Sequence, residues 1–430
     1  MILGVRFLPG KNRGTGGGDH QVGKKDPLVV GLDIGTTKIC TVVGEVADGQ
    51  CDIIGLGTYP SKGLRKGVVV NIESTVQSIK KAVEEAELMA GCHITSVYAG
   101  IAGGHIKGIN SHGVIAIKNR EIGPSDIKRV TDAASAVAIP MDREVIHIIP
   151  QEYIVDDQDG IKDPVGMSGV RLEGRVHIVT GAITSAQNIV KCANRAGLDV
   201  DDIVLEQLGS SEAVLSPEEK DLGAAIIDIG GGTTDLVIFS NGSIKHTAVF
   251  SLAGNHITSD ISMGLRTPLE EAEKIKIRYG CALTSLVRKD ETVEVPSVGG
   301  RKPRVLSRQT LTEIIEPRVE ETLTLVHNEV IRMGYGNLIA SGVILTGGSV
   351  IMEGIPELAE QIFNVPVRRG NPIGIGGLVD LVNSPIYATG VGLVLYGSRN
   401  KAQSRFKVGE GNVFRKVTRR MKEWVGEFFN

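Results

Sequence analysis

Two short motifs of the same kind, about half a chain apart, constrain the fold most strongly. Residues 33–37 read Asp-Ile-Gly-Thr-Thr, and residues 228–235 read Asp-Ile-Gly-Gly-Gly-Thr-Thr-Asp. Each motif follows a short apolar run, at 28–32 and 224–227, that is typical of a buried strand. A motif repeated at this distance predicts two similar domains that face each other across a cleft.

The residue types in both motifs suit a triphosphate. A carboxylate at a strand end can hold Mg²⁺ through its waters, and glycines let the backbone aim its N–H groups into an anion-binding concavity. Threonine hydroxyls add donors, and Lys38 is close enough in sequence to reach a phosphate. Neither motif is a Walker A loop, since Gly-x4-Gly-Lys-Ser/Thr occurs nowhere in the chain. One copy alone would also fit an ordinary strand-end turn, whereas two copies favour a nucleotide site.

A third element strengthens this interpretation. Residues 345–349 read Leu-Thr-Gly-Gly-Ser after an apolar run at 343–345, and Gly-Ile-Pro follows at 354–356. Two glycines at a strand-to-helix turn allow the backbone to lie flat against a base or a ribose. We therefore expect this turn to contact the nucleoside.

Composition limits the other possibilities. A chain of 430 residues is long enough for two domains or more. Its formal net charge of -3, without a long Lys/Arg tract, gives no reason to expect a nucleic-acid partner. Five dispersed cysteines without a Cys-x-x-Cys pair indicate reduced thiols in the cytosol. No segment reaches the ~18 apolar residues of a membrane span. Residues 1–27 lack the apolar region of a secretory signal, and we predict that they form a disordered extension.

The end of the chain has a different character. Residues 399–412 are polar and predict a flexible linker. At 100° per residue, the apolar side chains of residues 413–430 gather in a sector roughly 160° wide, with basic residues at its edges. This pattern predicts a helix that lies in a membrane interface, although a helix packed on its own domain or on a partner would also be amphipathic. The predicted membrane-binding residues are Phe414, Val417, Arg420, Met421, Lys422, Trp424, Val425, Phe428 and Phe429.

The three glycine motifs, in this order, resemble those of the actin, Hsp70 and sugar kinase superfamily, and within it the chain resembles the bacterial FtsA family of cell division proteins. Residues 30–36 open the family pattern, Ile-Pro-Gln-Glu-Tyr follows at 149–153, and Asp-Pro-Val-Gly-Met-Ser-Gly-Val-Arg at 163–171. Gly-Cys-Ala-Leu at 280–283 and Val-Pro-Ser-Val-Gly-Gly-Arg at 295–301 are similarly characteristic. The resemblance covers about residues 28–398, and the tail by its character.

The resemblance implies an actin-like α/β fold of two lobes, a duplicated ribonuclease H-like architecture in which a subdomain called 1C replaces the 1B subdomain of actin. The implied parts are 1A at 28–102 and 183–209, with a return helix at 386–398; an SHS2-like 1C at 103–182; 2A at 210–245 and 331–385; and 2B at 246–330.

The resemblance also implies residue roles. Asp33 and Asp228 would bind hydrated Mg²⁺, and ATP would be held by Asp33, Gly35, Thr36, Thr37, Lys38, Asp228, Gly230, Gly231, Gly232, Thr233, Asp235, Glu273, Lys276, Gly347, Gly348 and Ser349. Within this set Glu273 and Lys276 would reach the ribose and base, although the same residues would also be expected on a solvent-exposed charged helix face. Glu206 matches a water-orienting glutamate, but the proline that follows it in relatives is missing, so we expect slow hydrolysis or none.

The function implied is that of a scaffold at the division site, on the cytoplasmic face of the inner membrane. Subdomain 2B would bind the C-terminal tail of FtsZ, the tubulin-like division GTPase, and Arg301, Arg304 and Arg308 are candidates for that contact, with a solvated loop as the alternative. The chain would also bind anionic lipid, other division proteins and itself, as an actin-like polymer. The alternatives are an ATP-hydrolysing enzyme of the sugar kinase or Hsp70 class and a related actin-like protein of rod shape or pilus biogenesis.

Overall fold

The structure, a computed structural model, describes residues 28–297 and 302–400. The predicted extension at 1–27, the predicted membrane helix at 413–430 and Arg301 therefore lie outside the described residues. Nearly all of the predicted linker does so too. Its first two residues belong to the last described helix, which continues through Asn400.

The secondary structure alternates between strands and helices along most of the chain. The strands are β1 (Leu28–Ile34), β2 (Lys38–Ala47), β3 (Gln50–Pro60), β4 (Leu64–Arg65), β5 (Val68–Val69), β6 (Ser96–Ile101), β7 (Lys107–Ala116), β8 (Arg143–Val155), β9 (Gln158–Ile161), β10 (Arg171–Ala182), β11 (Asp199–Leu205), β12 (Ala224–Ile229), β13 (Thr234–Ser240), β14 (Ser243–Phe250), β15 (Thr292–Val295), β16 (Arg304–Ser307), β17 (Val343–Thr346), β18 (Val367–Arg369) and β19 (Gly376–Gly377). The helices are α1 (Ile72–Ala90), α2 (Pro124–Ala134), α3 (Ile183–Ala196), α4 (Glu206–Val214), α5 (Pro217–Leu222), α6 (Gly254–Leu265), α7 (Leu269–Tyr279), α8 (Arg308–Arg332), α9 (Ile355–Phe363), α10 (Val379–Val382) and α11 (Ala388–Asn400).

The two main sheets share one design, which is the duplication that the repeated motif predicts. In the first sheet β1, β2 and β3 form an antiparallel meander, and β6 and β11 extend it in parallel on the other side of β1. In the second, β12, β13 and β14 form the same meander, and β17 and β18 extend it in parallel beyond β12. Because β1 and β12 occupy equivalent places, the motifs that follow them occupy equivalent corners of the two lobes.

A smaller domain is inserted between β6 and α3 of the first lobe. Its sheet has the order β7-β10-β8-β9, and α2 packs on it around a core that includes Val130, Tyr153 and Leu172. Polar contacts hold it against β14 of the second lobe: His177 Nε2 lies 2.9 Å from Thr247 Oγ1. The inserted domain therefore contacts both lobes.

Helices α4 and α11 pack closely on each other between the two sheets. A Cβ atom on Gly392 would lie 1.8 Å from the carbonyl oxygen of Gly209, so only glycine allows this approach. The small residues of α11 thus fix the spacing of the lobes. Among the described residues, no helix is long and apolar enough to cross a bilayer.

Candidate functional site

A cavity of about 550 Å³ lies where the ends of β1 and β12 face each other. Its lining contains every residue that the sequence analysis assigned to nucleotide or metal binding. These are Asp33, Gly35, Thr36, Thr37, Lys38, Asp228, Gly230, Gly231, Gly232, Thr233, Asp235, Glu273, Lys276, Gly347, Gly348 and Ser349. Glu206 lines the same cavity. Five separate parts of the sequence thus meet in one place.

Four carboxylates are concentrated at the strand ends. Asp33 is the penultimate residue of β1, Asp228 holds the same place in β12, and Asp235 pairs with Asp228 across the β12–β13 ladder. Their exposed fractions are 7%, 8% and 4%, so all three side chains are buried. Glu206 joins them as the first residue of α4.

This concentration of charge changes the pKa values of the carboxyl groups. Burial raises the pKa of Asp33 above its ordinary value, and Lys38 opposes the rise. Burial, with the charge of Asp33, raises the pKa of Asp228 to about 6. The pKa values of Glu206 and Asp235 lie well above their ordinary values, because both groups are buried beside other carboxylates. The cavity therefore carries an excess of negative charge that a bound cation would relieve.

Neutral donors on the helices between the lobes hold two of these carboxylates. Thr389 Oγ1 on α11 donates to Asp228 Oδ2 at 3.1 Å, and Gln207 Nε2 on α4 donates to Asp235 Oδ1 at 2.9 Å. Neither donor was predicted from the sequence. Gln207 directly follows Glu206, at the position where a proline was expected from the resemblance, and this departure is the signal that could have drawn attention to it.

The two glycine motifs touch each other across the cleft. A Cβ atom on Gly231 would lie 1.8 Å from Thr37 Oγ1, and one on Gly232 would lie 2.4 Å from Thr36 Oγ1. The hydroxyl of Thr36 also accepts a hydrogen bond from the backbone N–H of Gly67 at 2.9 Å. The glycines of the second motif are thus what allows the lobes to approach so closely.

Lys38 brings a positive charge to this end of the cavity. Its Nζ donates to the carbonyl oxygen of Ile386 at 2.9 Å and lies 4.8 Å from the centroid of the Tyr387 ring. Both contacts come from the segment that leads into α11, so this segment holds the lysine side chain in place. A fixed ammonium group here faces the carboxylates and is suited to a phosphate.

The third motif forms the wall between the two ends of the cavity. Gly347 has a φ of 89°, and a Cβ atom there would lie 2.3 Å from Asp228 Oδ1. Ser349 Oγ donates to the carbonyl oxygen of Gly230 at 2.9 Å, which ties this turn to the second motif. The backbone of residues 347–349 is therefore packed directly against the strand-end aspartate.

Glu273 and Lys276 are not a fully solvated pair. Lys276 Nζ lies 2.7 Å from Glu273 Oε2 and 2.9 Å from Thr258 Oγ1, and the lysine side chain is only 10% exposed. Both residues face the cavity from α7. Ile277, Ile351 and Met352 line the cavity near them, so this end is the more apolar one and suits a base.

Of the arginines predicted to bind a partner, Arg304 and Arg308 are described by the structure, and their surroundings differ. Arg308 lines the cavity, and its guanidinium pairs with Glu291 at 2.7 Å and with Glu353 at 2.6 Å. Arg304 is exposed at the start of β16 and donates to the carbonyl oxygen of Leu265. The placement makes Arg304 accessible to a partner and commits Arg308 to the wall of the cavity.

The donor set fits a magnesium ion that arrives with a nucleotide. Within residues 28–297 and 302–400, no three His, Cys, Asp or Glu side chains are grouped closely enough to hold a metal ion on their own. Mg²⁺ keeps several waters and commonly takes one or two carboxylates together with phosphate oxygens. Asp33 and Asp228 would be the protein's contribution to such a site, and their excess negative charge is the property that favours it.

Comparison with known proteins gives consistent results. The model of the cell division protein FtsA family matches residues 225–392, and that of the SHS2 domain inserted in FtsA matches residues 103–180. FtsA of Pseudomonas aeruginosa is 55% identical over 93% of this chain and 97% of that protein. FtsA of Escherichia coli K12 is 45% identical over 93% of this chain and 96% of that protein. FtsA of Bacillus subtilis is 41% identical over 89% of this chain and 86% of that protein.

Solved structures agree on the fold. A PilM-PilN type IV pilus biogenesis complex is similar with a TM-score of 0.62 at 17% identity, over 86% of this chain and 98% of that chain. MreB5 of Spiroplasma citri bound to ADP is similar with a TM-score of 0.54 at 15% identity, over 87% and 98%. At these identities the likeness establishes the fold, which is actin-like, with the inserted SHS2 domain in the place expected for subdomain 1C.

Proposed function

The chain belongs to the FtsA family of cell division proteins, and from that premise we propose that it binds ATP with Mg²⁺ in the cleft and tethers the FtsZ ring to the cytoplasmic membrane. The observation that carries the nucleotide part is the meeting of both Asp-x-Gly motifs and the Gly-Gly-Ser turn on one cavity. That MreB5 of Spiroplasma citri, which shares the fold, was solved with ADP supports the same assignment.

In this proposal the backbone N–H groups of the two glycine motifs hold the phosphates, assisted by Lys38. Asp33 and Asp228 bind the waters of the metal ion. The positive charge of the ion neutralises the excess negative charge of the buried carboxylates. The apolar end beside Ile277 and Met352 receives the base, and the Glu273–Lys276 pair faces the ribose. Each of these groups already lines the cavity in the structure.

The nucleotide acts mainly as a conformational ligand. Glu206 is the candidate for orienting a water, but burial and three neighbouring aspartates raise its pKa well above the ordinary value. Because the proline expected after this glutamate is also missing, we expect hydrolysis to be slow. ATP then favours one arrangement of the lobes, and through it self-assembly, by binding that arrangement more tightly.

The tether has two ends in this proposal. The amphipathic segment at 413–430, outside the described residues, lies in the lipid interface, where one helix gives modest affinity and self-assembly multiplies it. Subdomain 2B binds the acidic tail of FtsZ, with Arg304 as the accessible candidate and Arg301 beside it in sequence. Other division proteins would join this scaffold on the cytoplasmic face of the inner membrane.

Neither alternative from the sequence analysis is favoured. A sugar kinase would need a site for a second substrate, and none of the motifs identified in the sequence corresponds to one. A role in pilus biogenesis or rod shape rests on structural likeness at 15–17% identity, against 55% for an FtsA protein of nearly equal length.

Co-sedimentation tests the tether. FtsZ filaments, anionic vesicles and ATP are mixed with the full chain or with a version that ends at Asn412. FtsZ should pellet with lipid only in the presence of the full chain. If both versions leave FtsZ in solution, the tether proposal is wrong.

A further inference from the structure

The side chain of Gln207 has no role in the function proposed so far. It directly follows Glu206 at the start of α4 and is 1% exposed. Glu206 turns into the cavity, whereas the amide of Gln207 packs behind it and donates to Asp235. The bond therefore connects the helix that carries Glu206 to the strand that follows the second glycine motif.

The position of that bond matters because Asp235 lies directly across the ladder from Asp228. On the same helix, Ser210 bonds Asp228, and Thr389 of α11 bonds it as well. Each aspartate of the pair thus receives hydrogen bonds from neutral side chains of the helices between the lobes. Thr233 bonds Asp235 from the second glycine motif, and Gln207 supplies the bond that comes from the helix.

A purely structural explanation of Gln207 meets a difficulty. Its Oε1 is buried, and no group in the described part of the chain pairs with it. A buried acceptor without a partner is costly, and leucine would fill the same space without that cost. An amide at this position is explained if its N–H donor is required. A neutral donor can form a hydrogen bond with the Asp235 carboxylate and leave the negative charge of that carboxylate in place.

We propose that Gln207 is a positioning residue of the nucleotide site, which holds Asp235 beside Asp228 so that both carboxylates face the hydrated Mg²⁺ that accompanies ATP. The inference rests on the proposed function. Gln207 acts through Asp235 and does not line the cavity itself. Its loss should therefore weaken the contribution of Mg²⁺ to nucleotide binding and leave metal-free binding nearly unchanged.

The test measures the dissociation constant of a fluorescent ATP analogue with the full chain, once in excess Mg²⁺ and once in EDTA. The dissociation constant in EDTA divided by that in Mg²⁺ reports how much the metal ion strengthens binding. Gln207→Leu should reduce this ratio about tenfold, the effect of losing one hydrogen bond to a charged group. Gln207→Asn, whose shorter side chain cannot reach Asp235, should do the same if the leucine variant fails to fold.

Two comparisons separate positioning from structural support. Ser211→Ala, on the same buried helix but bonded to Leu208, should leave the ratio within about twofold of the wild type, since it removes no bond to a carboxylate. In a double-mutant cycle, Gln207→Leu should add little to Asp235→Asn, since both changes break one interaction.

An unchanged ratio in both Gln207 variants, or additive effects in the cycle, would overturn the inference while leaving the nucleotide site intact. A wild-type chain that binds no nucleotide would overturn the proposed function and this inference with it.

Discussion

Replacing Asp228 by asparagine should make the nucleotide-free protein more stable while it weakens nucleotide binding. The side chain is 8% exposed, and its pKa is raised from 3.8 to about 6, chiefly by burial and then by Asp33. That difference corresponds to about 3 kcal/mol of destabilisation when the group is ionised at neutral pH. Asparagine keeps an oxygen that can accept the hydrogen bond of Thr389, so we expect a gain of about 1–3 kcal/mol in unfolding free energy.

The sign of the pH dependence follows from the same shift. Between pH 3.8 and about 6 the folded state binds a proton at Asp228 that the unfolded state has already released. The contribution of Asp228 to stability therefore falls as the pH rises through this window and reaches its lowest value above it. Asp228→Asn removes that contribution, so its advantage over the wild type should be large at pH 7 and small near pH 4.

Urea unfolding in EDTA at pH 4.5 and pH 7.5 measures both quantities. Asp159→Asn, on the exposed strand β9, is the matched control, and a surface change of this kind should stay within about 0.5 kcal/mol of the wild type. In Mg²⁺ the Asp228 variant should bind an ATP analogue at least about tenfold more weakly, because it lacks a carboxylate for the hydrated ion. If the variant is less stable than the wild type at pH 7.5, ionised Asp228 does not destabilise the nucleotide-free fold.

Four further predictions concern separate parts of the protein. Lys38→Met should weaken ATP binding about tenfold in a fluorescence titration, since a partly buried cation facing the phosphates is lost; unchanged affinity would contradict this. Gly392→Ala should lower the unfolding free energy by about 1–3 kcal/mol in urea, because its Cβ would meet the Gly209 carbonyl oxygen; a variant as stable as the wild type would show that the helices can separate without cost. The imidazole of His177, whose pKa burial lowers to about 4, should titrate below pH 5 by NMR and lower stability as the pH falls from 6.5 toward 4, whereas a midpoint near 6.5 would be inconsistent with its buried contact to Thr247. Trp424→Glu should abolish sedimentation with anionic vesicles, and retained binding would remove the amphipathic segment as the lipid contact.

The fold and most of the site were predictable because their signals are local. Each motif, an aspartate at a strand end followed by glycine and threonine, is contiguous in sequence. Its repetition at 33 and 228 predicts two equivalent lobes. The equivalence of β1 and β12 then places both motifs at one cleft. The turn at 347–349 could be added for the same reason, since it too follows a buried strand directly.

The remaining features depend on contacts that join distant parts of the chain. Thr389 bonds Asp228 although the two residues are 161 positions apart in the sequence. No motif around Thr389 indicates that it is a hydrogen-bond donor. Arg308 stands near the basic loop in sequence and was grouped with it, but the fold brings Glu291 and Glu353 to its guanidinium. The docking of the inserted domain on β14 through His177 has no local pattern either.

Calorimetric titration of ATP into the full chain in excess Mg²⁺ decides whether the cleft binds a nucleotide. We expect one site per chain, loss of most of the affinity in EDTA, and, in a separate assay, no rise in ATP turnover when small sugars are added. Absence of binding would contradict the assignment of the cleft as a nucleotide site. Strong turnover that depends on an added small substrate would identify the chain as an enzyme instead of a scaffold.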